Sequence, residues 1–264
     1  MKIVLPSNGY LGTSWVDIRE PNFGDLRSTI NATNQDDYLF KLEFVSRLAN
    51  FDKEKVSMDD IQYMYDIAVL AVQLSTLKYV VVCPDCETRI SGEYVFGKDE
   101  SHLVTLSRAH KRCKKTLDGV EYQFNILSAA DGEKIHTYAL DDDENQKMLE
   151  DATVCRVLGK TINEENIAWV NQIPVSIYIS AFLYIKANWH GMIMLAKKEC
   201  PKCKKQTTTR IVLDTSWVKL DVPTLIASFA EIRDAVDFKS FLEFTVSEFN
   251  NLKDYVNNEV EEDE

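Results

Sequence analysis

The sequence predicts an α+β fold made of two related halves followed by C-terminal helices, and three observations carry that reading. Apolar residues recur at helical spacing in some segments and alternate in strand fashion in others. A Cys-Pro-x-Cys tetrapeptide occurs twice, at Cys83 to Cys86 and at Cys200 to Cys203, with 117 positions between the copies. Each tetrapeptide is preceded by an apolar helical run and then a short β-like run. The 264 residues exceed the usual single-domain size, and 45% hydrophobic with 27% charged residues excludes global disorder.

Taken in order, residues 15–19 alternate like a strand, 22–25 read as a turn, and 38–48 carry a helical pattern. Residues 59–77 follow with apolar side chains at Ile61, Met64, Tyr65, Ile67, Ala68, Leu70, Ala71 and Leu74, and with Ser57 or Asp59 as N-cap. Tyr79-Val80-Val81-Val82 is β-like and leads into the first cysteine knuckle. In the second half, residues 120–124 alternate, 128–132 read as a turn, and a helix is expected from about Asp143 to Leu158. Residues 175–187 form a second apolar helix, Met192-Ile193-Met194-Leu195 a second β-like run, and residues 207–213 a strand beyond the second knuckle. Each half thus reads strand, turn, helices, strand, knuckle, strand, and weak identity between the copies is what diverged terminal repeats show.

The expected organisation is a first repeat over 1–116, a second over 117–220, a C-terminal helical segment over 221–256 and an acidic, frayed tail over 257–264. The helical segment carries Leu225, Ile226, Phe229, Ile232, Val236, Phe238, Phe241, Leu242, Phe244, Val246 and Phe249 between acidic positions.

Net charge is −12, from 30 basic and 42 acidic residues, which disfavours wholesale binding to nucleic acid or to an anionic membrane. The acid is concentrated at Asp141, Asp142, Asp143 and Glu144 and in the last six residues. The N-terminus lacks an apolar signal-peptide core. The most apolar stretch, 173–195, is broken by Pro174, Lys186, Asn188, His190 and Gly191, whereas a span needs about 20 apolar residues. It reads as a buried helix followed by a strand. The cysteine pattern suits metal binding in a reducing compartment, hence a cytoplasm, better than a disulfide framework.

Of six cysteines, four lie in the tetrapeptides. The x-x spacing lets one reverse turn aim two thiolates at one ion, the proline biases that turn, and zinc favours four such ligands in a closed tetrahedron. The economical assignment is a single structural zinc site of Cys83, Cys86, Cys200 and Cys203, a zinc ribbon with a long insertion between its arms. Two other arrangements stand beside it. His110 and Cys113 complete the first pair locally while Cys155 or His190 joins the second, or the thiols hold no metal and are buried or redox-active. Outside those arrangements Cys113 and Cys155 read as ordinary cysteines, His102 and His136 as surface residues, and His190 as a loop residue.

Four thiolates leave no open position for catalysis, and none of the common nucleophile-elbow, phosphate-loop, dinucleotide or zinc-protease motifs occurs, so no enzyme is expected. The competing function is nucleic-acid binding by a zinc-ribbon regulator. It draws on Arg108, Lys111, Arg112, Lys114 and Lys115 beside His110, and on Lys197, Lys198, Lys202, Lys204 and Lys205 around the second knuckle. The simpler reading of these lysines is that they offset the thiolates and stay solvated.

Two stretches carry a likeness to a known family: Val4-Leu5-Pro6-Ser7-Asn8-Gly9, and Val16-Asp17-Ile18-Arg19-Glu20-Pro21-Asn22-Phe23-Gly24-Asp25. With the knuckle after a long apolar helix over 175–212, the chain resembles the baseplate hub and hub-assembly proteins of T-even-like contractile-tailed bacteriophages. Its two knuckles and the 108–115 basic block depart from that pattern. The resemblance implies a non-enzymatic role, as a baseplate component or as a chaperone for the hub and tape-measure complex. It implies hub or tape-measure proteins as partners, with no membrane, and self-association into an oligomer. It also implies residence in the host cytoplasm during assembly and, for a retained component, in the virion's baseplate. Phe229, Phe238, Phe241, Phe244 and Phe249 then serve either as core or as a ridge for a partner helix.

Overall fold

A computed structural model of the chain describes residues 1–27, 36–72, 76–95, 98–106, 113–117, 119–140, 145–211, 213, 227–230, 237–245 and 248–249. The acidic block at 141–144, the residues Arg108, His110, Lys111 and Arg112, most of the expected C-terminal helical segment and the 257–264 tail lie outside these residues.

Strands β1 (Lys2–Val4) and β2 (Trp15–Asp17) pair antiparallel, Ile3 facing Val16. Their connection turns through Asn8 and Gly9, both at positive φ (52° and 73°), a conformation open to glycine and tolerated by asparagine. Helix α1 (Phe23–Arg27) starts on a reciprocal cap: the Asn22 N–H donates to Asp25 Oδ2 at 2.9 Å and the Asp25 N–H to Asn22 Oδ1 at 2.8 Å. The same device opens α3 (Met58–Val72) with Ser57 and Asp60, and α4 (Ala129–Leu140) with Ser128 and Asp131. Residues 22–25 and 128–132, expected as turns, are therefore helix starts. Helix α4 was not expected at all, because Gly132 lowers helix propensity and Ser-x-x-Asp serves turns and N-caps alike.

Helix α2 (Asp37–Leu48) is capped by Asp36, whose carboxylate accepts from the Tyr38 and Leu39 N–H groups. Helix α3 ends at Val72, and β3 (Thr76–Val82) takes residues that the sequence assigned to the helix. Thr76 and the valines that follow are β-branched, and an apolar run alone does not separate the two states. Strand β4 (Arg89–Val95) pairs with β3. Strands β6 (Cys113–Leu117) and β7 (Val120–Phe124) make a second hairpin, followed by α4, α5 (Asn145–Val157), α6 (Glu164–Val170) and α7 (Val175–Ala187). Strand β8 (Gly191–Glu199) pairs with β9 (Gln206–Ile211) and, on its other edge, with β5 (Glu100–Val104). Strand β5 follows β4 in the chain, so its pairing with β8 joins segments about 90 positions apart.

One core gathers α2 and α3 with Met192, Met194, Ala196, Ile211 and Leu213 from the β8–β9 side. A second holds Phe124, Ile135, Val154, Cys155, Ile167, Val170 and Tyr184. Helix α8 (Phe238–Glu243) docks on α1, with the Phe241 ring 4.4 Å and the Phe249 ring 5.2 Å from that of Phe23. Among the C-terminal phenylalanines, Phe241 and Phe249 are buried. A Cβ on Gly24 would stand 3.0 Å from the Leu242 carbonyl, a tight contact that glycine avoids. Among the described residues no single helix is long and apolar enough to cross a membrane, and α6 and α7 meet at a 104° bend.

Candidate metal centre

The two cysteine tetrapeptides are the tips of the β3–β4 and β8–β9 hairpins, and the two tips have the same local construction. Val82 pairs with Arg89 and Glu199 with Gln206, which leaves six residues to make each turn. In the first, the Cys83 N–H donates to Thr88 O and the Glu87 N–H to Cys83 O, both at 2.9 Å. In the second, the Cys200 N–H donates to Lys205 O and the Lys204 N–H to Cys200 O, again at 2.9 Å. The residue after each second cysteine is left-handed, Glu87 at φ 57° and Lys204 at φ 63°. That bend turns backbone N–H groups toward the sulfurs. The Cys83 thiol is pulled down by the Asp85 N–H, and the Cys86 thiol to about 6 by the Thr88 hydroxyl and then its N–H.

Across the tips, Cys83 Sγ lies 3.7 Å from Cys203 Sγ and Cys86 Sγ 3.5 Å from Cys200 Sγ, and all four sulfurs fall within 4.8 Å of one another. A tetrahedron with Zn–S bonds of about 2.3 Å has edges of about 3.8 Å, near the two distances across the tips, so the four thiols lie close enough together to bind a zinc-sized ion. Cys83 and Cys200 are fully buried against Ile90 and Val81, while Cys86 and Cys203 are half-buried. Lys205 ties the tips together through Asp85 at 2.6 Å; Lys204 pairs with Glu199 at 3.8 Å and Lys197 with Glu100.

Of the other expected ligands, Cys155 and His190 do not join this cluster. Cys155 is buried in the second core, its thiol 3.2 Å from the Thr161 carbonyl. The side chain of Cys113, like His110, lies outside the described residues. His102 is exposed and pairs with Glu100 at 2.7 Å, a surface residue as expected. His136 is not a surface residue: it stacks on Tyr38 at 4.7 Å and bonds Asp36 at 2.9 Å.

His190, read from sequence as a loop residue, is 1% exposed and belongs to a polar cluster that spacing did not reveal. Its Nε2 is 2.6 Å from Ser57 Oγ and 3.9 Å from Asp60, and its Nδ1 is 2.9 Å from the Asn188 carbonyl and 3.4 Å from Asp59. Burial pushes the Asp59 carboxyl up to about 6. By distance this is a serine–histidine–aspartate set. Ser57, however, is 1% exposed and its Oγ accepts the Asp60 N–H at the start of α3. The adjoining cavity, about 40 Å³, has room for little more than a water. The cluster fastens the root of β8 to the root of α3. With 133 positions between Ser57 and His190, no local motif signals it.

No family model, curated protein or solved structure matches this chain.

Proposed function

We propose that the chain is a non-catalytic assembly protein whose two related halves are stapled by one structural zinc ion. In this reading it acts in contractile-tail phage morphogenesis, as a baseplate hub component or as a hub-assembly chaperone. The observation that carries the proposal is the convergence of four thiols from two hairpin tips with the same construction into one closed set. A four-thiolate zinc supplies a structural tie, with binding free energy that adds to folding. Cys83 and Cys200 hold it from the buried side, Cys86 and Cys203 from the half-buried side.

Duplication is supported by register. Helices α3 and α7 begin at Met58 and Val175, and the hairpins resume at Arg89 and Gln206, each pair 117 positions apart like the cysteines. Upstream, the reciprocal caps Asn22/Asp25 and Ser128/Asp131 stand 106 apart. The shift between the two offsets falls where the second half carries α6, which has no counterpart between α2 and α3. One insertion accounts for it.

The hub assignment rests on the sequence resemblance. The residues that carry it do structural work here: Leu5 and Ser7 are buried, the Ser7 N–H donates to Asp60, and Arg19 grips Asp25 with two bonds of 2.6 and 2.8 Å. Nucleic-acid binding draws less support, because Lys114, Lys197, Lys204 and Lys205 each have a carboxylate partner within the chain. Affinity capture of the tagged chain from infected cells is the test. Recovery of tail proteins with one zinc per chain by native mass spectrometry supports the proposal, and recovery of nucleic acid or polymerase without tail proteins overturns it.

A further inference from the structure

Helix α7 has no charged residue from Val175 to Ile185, and a helix apolar on all sides is normally buried on all sides. Helix α3, which precedes the first knuckle, is covered although it carries Asp60 and Asp66: Ile61, Met64, Tyr65, Ala68 and Val69 are all buried, between α2, α4 and β8. Helix α7 is not so covered. Ile177 is buried and Ala181 and Tyr184 join the second core, while Val175, Ile179 and Leu183 stand 71%, 51% and 59% exposed. These three are four residues apart in succession, so they form a single ridge along the outer face.

Lysines rim the ridge. Lys186, exposed, continues it at the C-terminal end, seven positions after Ile179. Lys115 reaches over from β6, its Nζ 2.9 Å from Ser180 Oγ and 3.5 Å from the Ser176 carbonyl. Among the described residues neither ammonium has a carboxylate within ion-pair distance. Lys114, Lys197, Lys204 and Lys205 all do. In a chain of net charge −12, the apolar ridge is edged by two cations without a carboxylate partner among the described residues.

We infer that the outer face of α7 docks an amphipathic helix of a partner protein, with apolar residues at i, i+4 and i+8 and carboxylates flanking them. The ridge supplies what a helix–helix contact buries, and the lysines select the sign of the flanks. A second copy of α7 is disfavoured as occupant, because it would bring the same lysines to the contact and no acid. The inference takes from the proposed function only that the chain has a protein partner. Its test involves neither zinc nor tail proteins, so the two fail separately.

The probe is a fluorescein-labelled, stapled synthetic helix with leucines at i, i+4 and i+8 flanked by glutamates. A twin peptide carries lysines instead. Anisotropy titration of the full chain should favour the glutamate peptide by about tenfold or more at low salt. Ile179→Asp should weaken that binding by about tenfold or more, with the circular dichroism spectrum unchanged because Ile179 is exposed. The double variant Lys115→Glu/Lys186→Glu should reverse the preference toward the lysine peptide. Equal binding of the two peptides, no binding of either, or indifference to Ile179→Asp overturns the inference. So does sedimentation showing a dimer that Ile179→Asp dissociates, which makes a second copy the occupant. Binding of anionic phosphatidylglycerol vesicles through α7 in place of the peptide overturns it as well.

Discussion

Replacing Cys200 with alanine separates a metal clasp from an ordinary buried thiol, provided Cys155→Ala is made beside it. Both residues are fully buried, so each change removes one sulfur from a packed site. At Cys155 the loss is that of the sulfur's contacts and of its 3.2 Å approach to the Thr161 carbonyl, about 1 kcal/mol. At Cys200 a ligand goes too. Removing even an outer-shell partner weakens metal binding about 10- to 100-fold, so loss of a thiolate should exceed about 100-fold, or about 2.8 kcal/mol at 1.4 kcal/mol per decade. With zinc saturating, that difference passes directly into folding stability. For a chain of this size about 1 kcal/mol moves the Tm by roughly 2–4 °C. Cys155→Ala should therefore melt about 2–4 °C below the parent and Cys200→Ala about 6–12 °C or more below it. A zinc chelator should lower the parent and Cys155→Ala alike and lower Cys200→Ala by about 2.8 kcal/mol less. A chelator effect of equal size on all three proteins, or on none, refutes the four-cysteine site.

Three further substitutions test the fold around the site. Burial pushes the Asp66 carboxyl up to about 7, against an opposing hydrogen bond from Gln62 and the charges of Lys41 and Arg210. Its unfolded value is about 3.9, so this contribution to stability is fully present below about pH 4 and is lost as pH rises through 7. Asp66→Asn should gain on the order of 2 kcal/mol over the parent between pH 5 and pH 8 in urea titrations, and a difference that stays flat with pH contradicts the assignment. A Cβ on Gly132 would fall 2.5 Å from the Tyr38 Cζ and hydroxyl, and that hydroxyl donates to the Ala129 carbonyl at 3.1 Å. Gly132→Ala should lose about 1–3 kcal/mol by overpacking, and a neutral result in the same titration counts against the packing described. Asp60, fully buried, accepts the Ser7 and Ser57 N–H groups on its two oxygens at 2.9 and 3.0 Å. Asp60→Asn retains one acceptor oxygen, leaves the other N–H unanswered and should lose about 1–3 kcal/mol by thermal melting.

What could be read from sequence followed from the range of the signal. Helix α7 begins and ends where its pattern does, between Pro174 and Asn188, and α2 differs from the expected 38–48 by a single residue. The Cys-Pro-x-Cys spacing made the four-thiol cluster legible, since a tetrapeptide encodes its own turn. The doubled motif also favoured Cys200 and Cys203 as partners of the first pair, and the structure brings these four together by the way two hairpins meet. Helix α4 was missed because Ser128 and Asp131 look the same in a turn as in a capping box. The outer face of α7 was expected to be buried, and its exposed ridge emerges only from knowing which elements pack on the helix. The His190 cluster joins residues on either side of the whole second core, and no window along the chain contains it.

The position of the cysteines in the fold explains why thiols, and not more apolar side chains, join the hairpins. Strand β8 starts at Gly191, beside the buried His190–Ser57 contact, and its first residues Met192, Met194 and Ala196 are buried in the main core. Beyond Ala196 the strand is Lys197, Lys198 and Glu199, all exposed, and opposite them β9 offers Thr208, Thr207 and Gln206. The apolar material at the tips amounts to Ile90 and Val81 around the cysteines themselves. Two-stranded hairpins with so little to bury are marginal in water. Apolar burial therefore holds the roots of the two arms and runs out along β8. The four thiols stand where it has ended, and among the described residues the tips meet through the sulfurs, with Ile90 and Val81 around them, and through the Asp85–Lys205 ion pair.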